Sequence, residues 1–249
     1  MTLQDFFARP DRVALAFSGG VDSSYLLYAA RQAGCDVRPY YVKTAFQPAR
    51  ELADARRVAA ELGAELTVLE LDILAHQPVT DNPPDRCYHC KRRILAAILE
   101  RAAADGCTLL VDGTNASDDG ADRPGMQALA ECSVHSPLRL CGLGKEDIRR
   151  LSRQAGLSTW DKPAYACLAT RIPTGLPITA DHLTRTERAE EALTALGFSD
   201  FRVRLGQSGE ARLELRAGQF ARLMEEREQV LAALSPHYSA VVLNLQPRT

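Results

Sequence analysis

The 249 residues carry 46% hydrophobic and 25% charged side chains and a formal net charge of −2. That composition excludes a disordered polyelectrolyte and argues against a protein devoted to broad nucleic-acid binding, without excluding a local basic patch. The length suits one large domain or two smaller ones, and no apolar run approaches the ~20 residues needed to cross a bilayer. The opening stretch "MTLQDFFARPDRVALAF" lacks the basic flank, apolar core and cleavage site of a secretory leader. The expected compartment is therefore the cytoplasm, with no membrane partner and with the seven cysteines (35, 87, 90, 107, 132, 141 and 167) mostly reduced.

Along the chain, "RVALAF" (12–17) predicts a buried strand, and "DSSYLLYAARQAG" (22–34) a helix stopped by Gly34. "DVRPYYVK" (36–43) predicts a second strand, 49–63 an amphipathic helix and 64–72 a third strand. A helix over 91–106 and a strand over 108–115 complete a β-α-β-α-β-α-β order, which implies an α/β fold with a mainly parallel, Rossmann-like sheet. From Ala116 to Gly175 the chain is rich in Gly, Pro and Asp, with one clear helix at 145–156; so much irregular chain usually serves a site. Beyond about Pro177, a helix (181–197), strands (201–205, 211–215), a helix (218–234) and a strand (239–245) predict a small C-terminal α+β domain. The expected organisation is thus a first domain over 1–176 and a second over 177–249.

Two stretches carry chemistry. In "AFSGGVDSS" (16–24) a Gly pair lies between a buried strand and a helix start, where free N–H groups favour an anion. Ser18, Gly19, Gly20, Val21, Asp22, Ser23 and Ser24 are the candidate phosphate cradle, and Asp22 a candidate Mg2+ ligand. The Walker pattern is absent. "DRCYHCKRR" (85–93) holds Cys87 and Cys90 at CxxC spacing, open to zinc, a redox disulfide, an iron–sulfur cluster or plain packing.

The run SGGVDS resembles the signature loop of the PP-loop ATP pyrophosphatases. That resemblance implies an adenine nucleotide alpha hydrolase-like fold, ATP and Mg2+ as cofactors, adenylation of a substrate and release of pyrophosphate. "NPPDRCYHCK" (82–91), "DGTNASDDGADRPG" (112–125), "SPLRLCGLGKEDIRRLSRQAGL" (136–157), "WDKPAYACLATRIPTG" (160–175) and "FRVR" (201–204) narrow the resemblance to the LarE family. It implies an ATP-dependent sulfurtransferase that converts carboxylates of a pyridinium-3,5-biscarboxylic acid mononucleotide to thiocarboxylates for the nickel-pincer nucleotide cofactor. Adenylation gives an inert carboxylate a leaving group, which a thiolate can displace.

On this resemblance Cys167 is the sulfur-bearing nucleophile, with the nearby cations Lys162 and Arg171 favouring its thiolate. Cys87, Cys90 and Cys167 together are expected to bind a [4Fe–4S] cluster. Zinc completed by His89 and a metal-free thiol site are the rivals, and a sacrificial Cys167 is the alternative sulfur source. Thr114 and Asn115, with Asp118, end the fourth strand, at the carboxyl edge where open α/β sheets bind ligands. Arg123, Arg171, Arg202 and Arg204 are the expected grips for substrate phosphate and carboxylates, and Lys91 and Lys162 for phosphate. A small-molecule nucleotide substrate and a homo-oligomer are the expected partners. A tRNA-thiolating enzyme is the rival within the superfamily, and a non-catalytic adenine-nucleotide binder the rival outside enzymes.

Overall fold

Strand β1 (Arg12–Ala16) is buried on both faces and sits between two parallel neighbours, β2 (Asp36–Lys43) and β4 (Leu109–Val111). The structure, a computed structural model, describes residues 1–8, 10–118 and 123–248, without the side chain of Arg123. With β3 (Thr67–Glu70) beside β2, the sheet runs β3-β2-β1-β4, all parallel. This is an α/β fold of the expected class.

Strand alternation divides the core in two. Val13, Leu15, Val37, Tyr41 and Val111 point to one face, covered by α1 (Leu3–Phe7), α2 (Val21–Gln32), α3 (Ala49–Glu61), α7 (Pro137–Leu140) and α8 (Lys145–Gln154). Ala14, Tyr40, Val42 and Leu110 point to the other, covered by α5 (Arg86–Ala104) and α6 (Arg123–Glu131). Strand order reverses at β1: the chain steps outward to β2 and β3, then returns to β1's other side as β4. Such a switch point opens a crevice at the carboxyl ends of β1 and β4.

The chain divides into two compact units, residues 1–73 with 85–164, and residues 74–84 with 165–249. The second contains α4 (Gln77–Thr80), a 3-10 turn (Leu168–Arg171), α9 (Ala180–Ala195), β5 (Arg202–Leu205), β6 (Ala211–Glu214), α10 (Phe220–Glu225), α11 (Arg227–Leu234) and β7 (Val241–Leu243). Its sheet is mixed, β5 antiparallel and β7 parallel to β6. The excursion 74–84 is stitched into this unit by Asn82, whose buried amide donates to the carbonyls of Pro173 (2.7 Å) and Leu176 (2.9 Å).

Several expected elements shift. The helix expected from Lys91 begins five residues earlier, at Arg86, because the barrier is Pro83-Pro84 rather than the cysteine pair. α6 forms in a stretch expected to be irregular, where Ala128 and Leu129 bury against the face shared with α5. The helix expected over 218–234 is broken at Glu226 into α10 and α11. No helix is long and apolar enough to cross a membrane among the described residues.

Candidate active site

The chain leaves β1 through Ser18-Gly19-Gly20 and enters α2 directly. Gly19 has φ +71°, and a β-carbon there would stand 2.8 Å from the Cα of Ala55 in α3, so only glycine fits. Gly20 is the N-cap of α2 and no side chain caps the helix, which leaves its first-turn N–H groups for an anion. Ser18 Oγ accepts from Gly20 N (3.3 Å) and lies 3.1 Å from Ser23 Oγ, so both hydroxyls are folded into the turn. From the other side of the switch point, Gly113 approaches so closely that a β-carbon would lie 3.0 Å from Ser23 N.

The loop after β4 is held by its own polar groups. Asp112 accepts from Ser136 Oγ (2.7 Å) and Thr114 Oγ1 (2.5 Å). Asn115 is buried, its backbone N–H donating to Asp118 Oδ2 and its Oδ1 accepting from Ser117 N, both at 2.8 Å. Ala116 N donates to Leu143 O, which draws the start of α8 alongside. There Lys145 Nζ reaches back to Asp22 Oδ2 at 2.5 Å. Asp22 Oδ1 is buried without a hydrogen-bond partner. A carboxylate oxygen left open beside an anion-binding helix start fits a Mg2+ ion carried in on phosphates.

Lys162 stands on the α3 side of the same loop, 2.9 Å from Asp54, 3.4 Å from Glu51 and 3.5 Å from the carbonyl of Gly19. Burial pushes the Asp54 carboxyl up, but the hydrogen bond and charge of Lys162, reinforced by Arg57, outweigh it and hold the group below its usual range.

Cys87 and Cys90 lie in the first turn of α5, at the i, i+3 spacing that brings two side chains to one side of a helix. Cys87 is exposed and Cys90 half-buried. His89 turns away to pair with Asp85 (3.3 Å), while Tyr88 donates to Glu131 (2.8 Å) and accepts from Arg92 (3.0 Å), fastening α5 to α6. Lys91 follows on the same turn, half-buried. Among the described residues, no group of three or more His, Cys, Asp or Glu is placed to hold a metal ion.

In the second unit, half-buried Cys167 caps the 3-10 turn, and its carbonyl accepts from Thr170 Oγ1 (2.8 Å) and Thr170 N (3.0 Å). Arg171 is among the largest fully buried side chains. It donates to the carbonyl of Ala166 (3.1 Å), to Thr170 Oγ1 (2.7 Å) and, through Nε and Nη2, to Glu190 (2.7 and 3.2 Å). Tyr165 lies under this guanidinium and donates to Glu190 (2.9 Å). Arg202 covers the same ring, and Arg204 reaches Glu214 (2.6 Å) and the carbonyl of Thr170, so one face of β5 serves the Cys167 turn. Burial, then the charges of Arg171 and Arg248, pull the Arg202 guanidinium below its ordinary value.

The first unit thus brings together Ser18–Ser24, Thr114, Asn115 and Asp118, and the second brings Arg171, Arg202 and Arg204 around the Cys167 turn. The side chain of Arg123 lies outside the described residues. Three contributors went unread in the sequence: Lys145, Tyr165 and Glu190. Lys145 opens a helix inside "GLGKEDIRR", and Glu190 sits among Thr186, Ala189 and Leu193 on the buried face of α9, an unusual place for a carboxylate.

Residues 10–113, which span the sheet and its phosphate turn, match the asparagine synthase family. The chain is 36% identical over 229 residues to an uncharacterized protein of Synechocystis, covering 90% of this chain and 84% of that one. It is 32% identical over 232 residues to the pyridinium-3,5-bisthiocarboxylic acid mononucleotide synthase of Lactiplantibacillus plantarum, covering 91% and 84%. Similarity to the tRNA-specific 2-thiouridylase of a Nocardioides species is 28% over 194 residues, covering 61% and 52%. With a PP-loop turn on a parallel sheet and near full-length kinship to that synthase, this chain belongs to the LarE family of ATP-dependent sulfurtransferases.

Proposed function

We propose that the protein inserts sulfur into a carboxylate of pyridinium-3,5-biscarboxylic acid mononucleotide, on the route to the nickel-pincer nucleotide cofactor. The observation that carries this reading is the PP-loop helix start of the first unit, which no side chain caps; within the second unit, buried Arg171 braces the turn that bears Cys167. Kinship to the plantarum synthase supplies the substrate class.

ATP binds with its phosphates on Ser18–Ser24 and Mg2+ on Asp22. A substrate carboxylate attacks the α-phosphorus and pyrophosphate leaves, giving an acyl adenylate. A sulfur nucleophile then attacks the acyl carbon and AMP departs, which leaves a carbon–sulfur bond. Arg202 and Arg204 supply cations for the substrate's phosphate and remaining carboxylate. Arg171, fully buried and spent on Glu190, Ala166 and Thr170, holds the Cys167 turn rather than the ligand.

Cys87 and Cys90, two thiols three residues apart on α5, have the chemistry of an iron–sulfur ligand pair, and the reading takes Cys167 of the second unit as the third thiolate. When bound, a [4Fe–4S] cluster held by three thiolates supplies an open iron on which sulfide can be carried. Without it, Cys167 gives up its own sulfur and becomes dehydroalanine. The reading includes a homo-oligomer working in the cytoplasm, and the domain assignment 1–176 for ATP and 177–249 for substrate.

Pyrophosphate release tests the reading. It should require ATP, Mg2+ and the biscarboxylate mononucleotide together. Release driven instead by unmodified tRNA would favour a thiouridylase, and nucleotide binding with no release a sensor.

A further inference from the structure

Arg149 is absorbed by none of these roles, although it grips the backbone on both sides of Asp161. It lies half-buried in the second turn of α8. Its Nη1 donates to the carbonyl of Trp160 and its Nη2 to that of Lys162, each at 2.9 Å. A guanidinium suits this task because its donors form a rigid planar fork. The segment it holds, residues 157–162, follows α8 and turns twice. Trp160 N donates to Leu157 O (3.3 Å) and Lys162 N to Thr159 O (3.1 Å). Arg153, one turn further along α8, covers the Trp160 ring at 4.9 Å. Ser158 donates to Glu61 of α3 (2.6 Å) and accepts from Arg57 (3.1 Å). The segment is thus fastened to two helices before it delivers Lys162, whose side chain is only 17% exposed. That ammonium stands 2.9 Å from Asp54, 3.4 Å from Glu51 and 3.5 Å from the carbonyl of Gly19, the left-handed glycine of the phosphate turn. A lysine carries its charge on a flexible four-carbon stem, so the charge is well placed only if the backbone at its base is fixed.

We infer that Arg149 is a positioning residue for the nucleotide site, resting on the PP-loop reading above. By clamping the carbonyls of Trp160 and Lys162 it fixes the base of Lys162. The ammonium is thereby kept on the α3 side of the phosphate turn, where it meets the phosphate charge of ATP. Arg149 acts through Lys162 and not on the reacting atoms. The α3 carboxylates steady the charged end of that lysine, and Arg149 steadies the backbone end. A clamp that only packed the segment onto α8 would add stability and leave both the α3 carboxylates and nucleotide affinity alone.

The test follows the Asp54 carboxyl of the full chain by carbon-13 NMR titration, with calorimetric titration of MgATP beside it. Burial pushes that carboxyl up, and Lys162 with Arg57 brings it below its usual range. In Arg149→Met the ammonium is no longer held in place, so the Asp54 midpoint should rise towards the ordinary value, about 3.9. MgATP affinity should fall by about ten-fold or more, as for loss of a hydrogen bond between charged groups. Arg149→Lys keeps the charge without the fork and should lie between the two. Should the Met variant fold poorly, the Lys variant answers alone, and its Asp54 midpoint must still move up. An unmoved Asp54 midpoint, or an unmoved MgATP affinity beside a moved midpoint, overturns the inference. A wild type that binds no MgATP brings down the PP-loop reading, while the Asp54 midpoint still decides whether Arg149 sets Lys162.

Discussion

Arg171 and Glu190 meet inside the second unit with guanidinium and carboxylate 2.7 Å apart and neither side chain more than 3% exposed. The pair is more than a bridge between the 3-10 turn and α9. Glu190 also receives Tyr165 and the backbone N–H of Val203, and Arg171 also holds the carbonyl of Ala166 next to Cys167. One buried ion pair therefore ties the Cys167 turn, a long helix and the strand bearing Arg202 and Arg204 together within the second unit. Removing one partner strands the other's charge in a dry interior. Arg171→Met should cost about 3–5 kcal/mol of stability, and the double replacement Arg171→Met with Glu190→Met distinctly less. Urea unfolding checks this. A single-variant cost below about 1 kcal/mol, the range of an exposed pair, would contradict the assignment.

Gly19 carries the sharpest steric demand in the phosphate turn. Gly19→Ala adds left-handed strain and sets a β-carbon 2.8 Å from backbone that cannot move aside cheaply. The expected cost is about 1–3 kcal/mol with loss of ATP affinity. Calorimetric unfolding and nucleotide titration read both, and a variant that binds ATP normally would show that the turn is not the phosphate site.

Asp54 gives the structure an acid-side signature. Its carboxyl is held below its ordinary value by Lys162 and Arg57 against the opposing effect of burial. A depressed folded-state pKa contributes stability that is present above the unfolded value, about 3.9, and fades as pH falls through the folded one. The melting-temperature gap between wild type and Asp54→Asn should therefore shrink as pH drops below about 4. A gap constant from neutral pH into that range would mean that the carboxylate is not held by these cations.

Cys87→Ser with Cys90→Ser separates metal chemistry from folding. One thiol is exposed and the other half-buried, so stability should move by less than about 0.5 kcal/mol. Protein purified without oxygen should lose its iron and visible absorbance with that change. Iron retained by the double variant would remove the pair from the ligand set, and an iron-free wild type would leave a metal-free thiol site.

Much of the candidate phosphate site is legible as a pattern because its residues are local in the chain. Strand, Gly pair and helix start are consecutive residues, and hydrophobic alternation in β1, β2 and β4 orders the sheet around them. The cysteine pair was legible as chemistry but not as structure: its residues carry no helix signal of their own, and the helix start is set by Pro83-Pro84 upstream. Lys145 and Glu190 escaped because their partners, Asp22 and Arg171, lie 123 and 19 residues away. Arg171 illustrates the limit most clearly. As an arginine four residues after a cysteine it reads as a ligand grip, whereas its burial turns it into a support.

The central claim is that ATP activates a carboxylate and that sulfur reaches it through Cys167. The most direct measurement pairs pyrophosphate release with mass spectrometry of the mononucleotide, for wild type and Cys167→Ala. Wild type should release pyrophosphate and form the thiocarboxylate, and the variant should still release pyrophosphate but form none. Thiocarboxylate made by Cys167→Ala, or none made by the wild type despite pyrophosphate release, would contradict it.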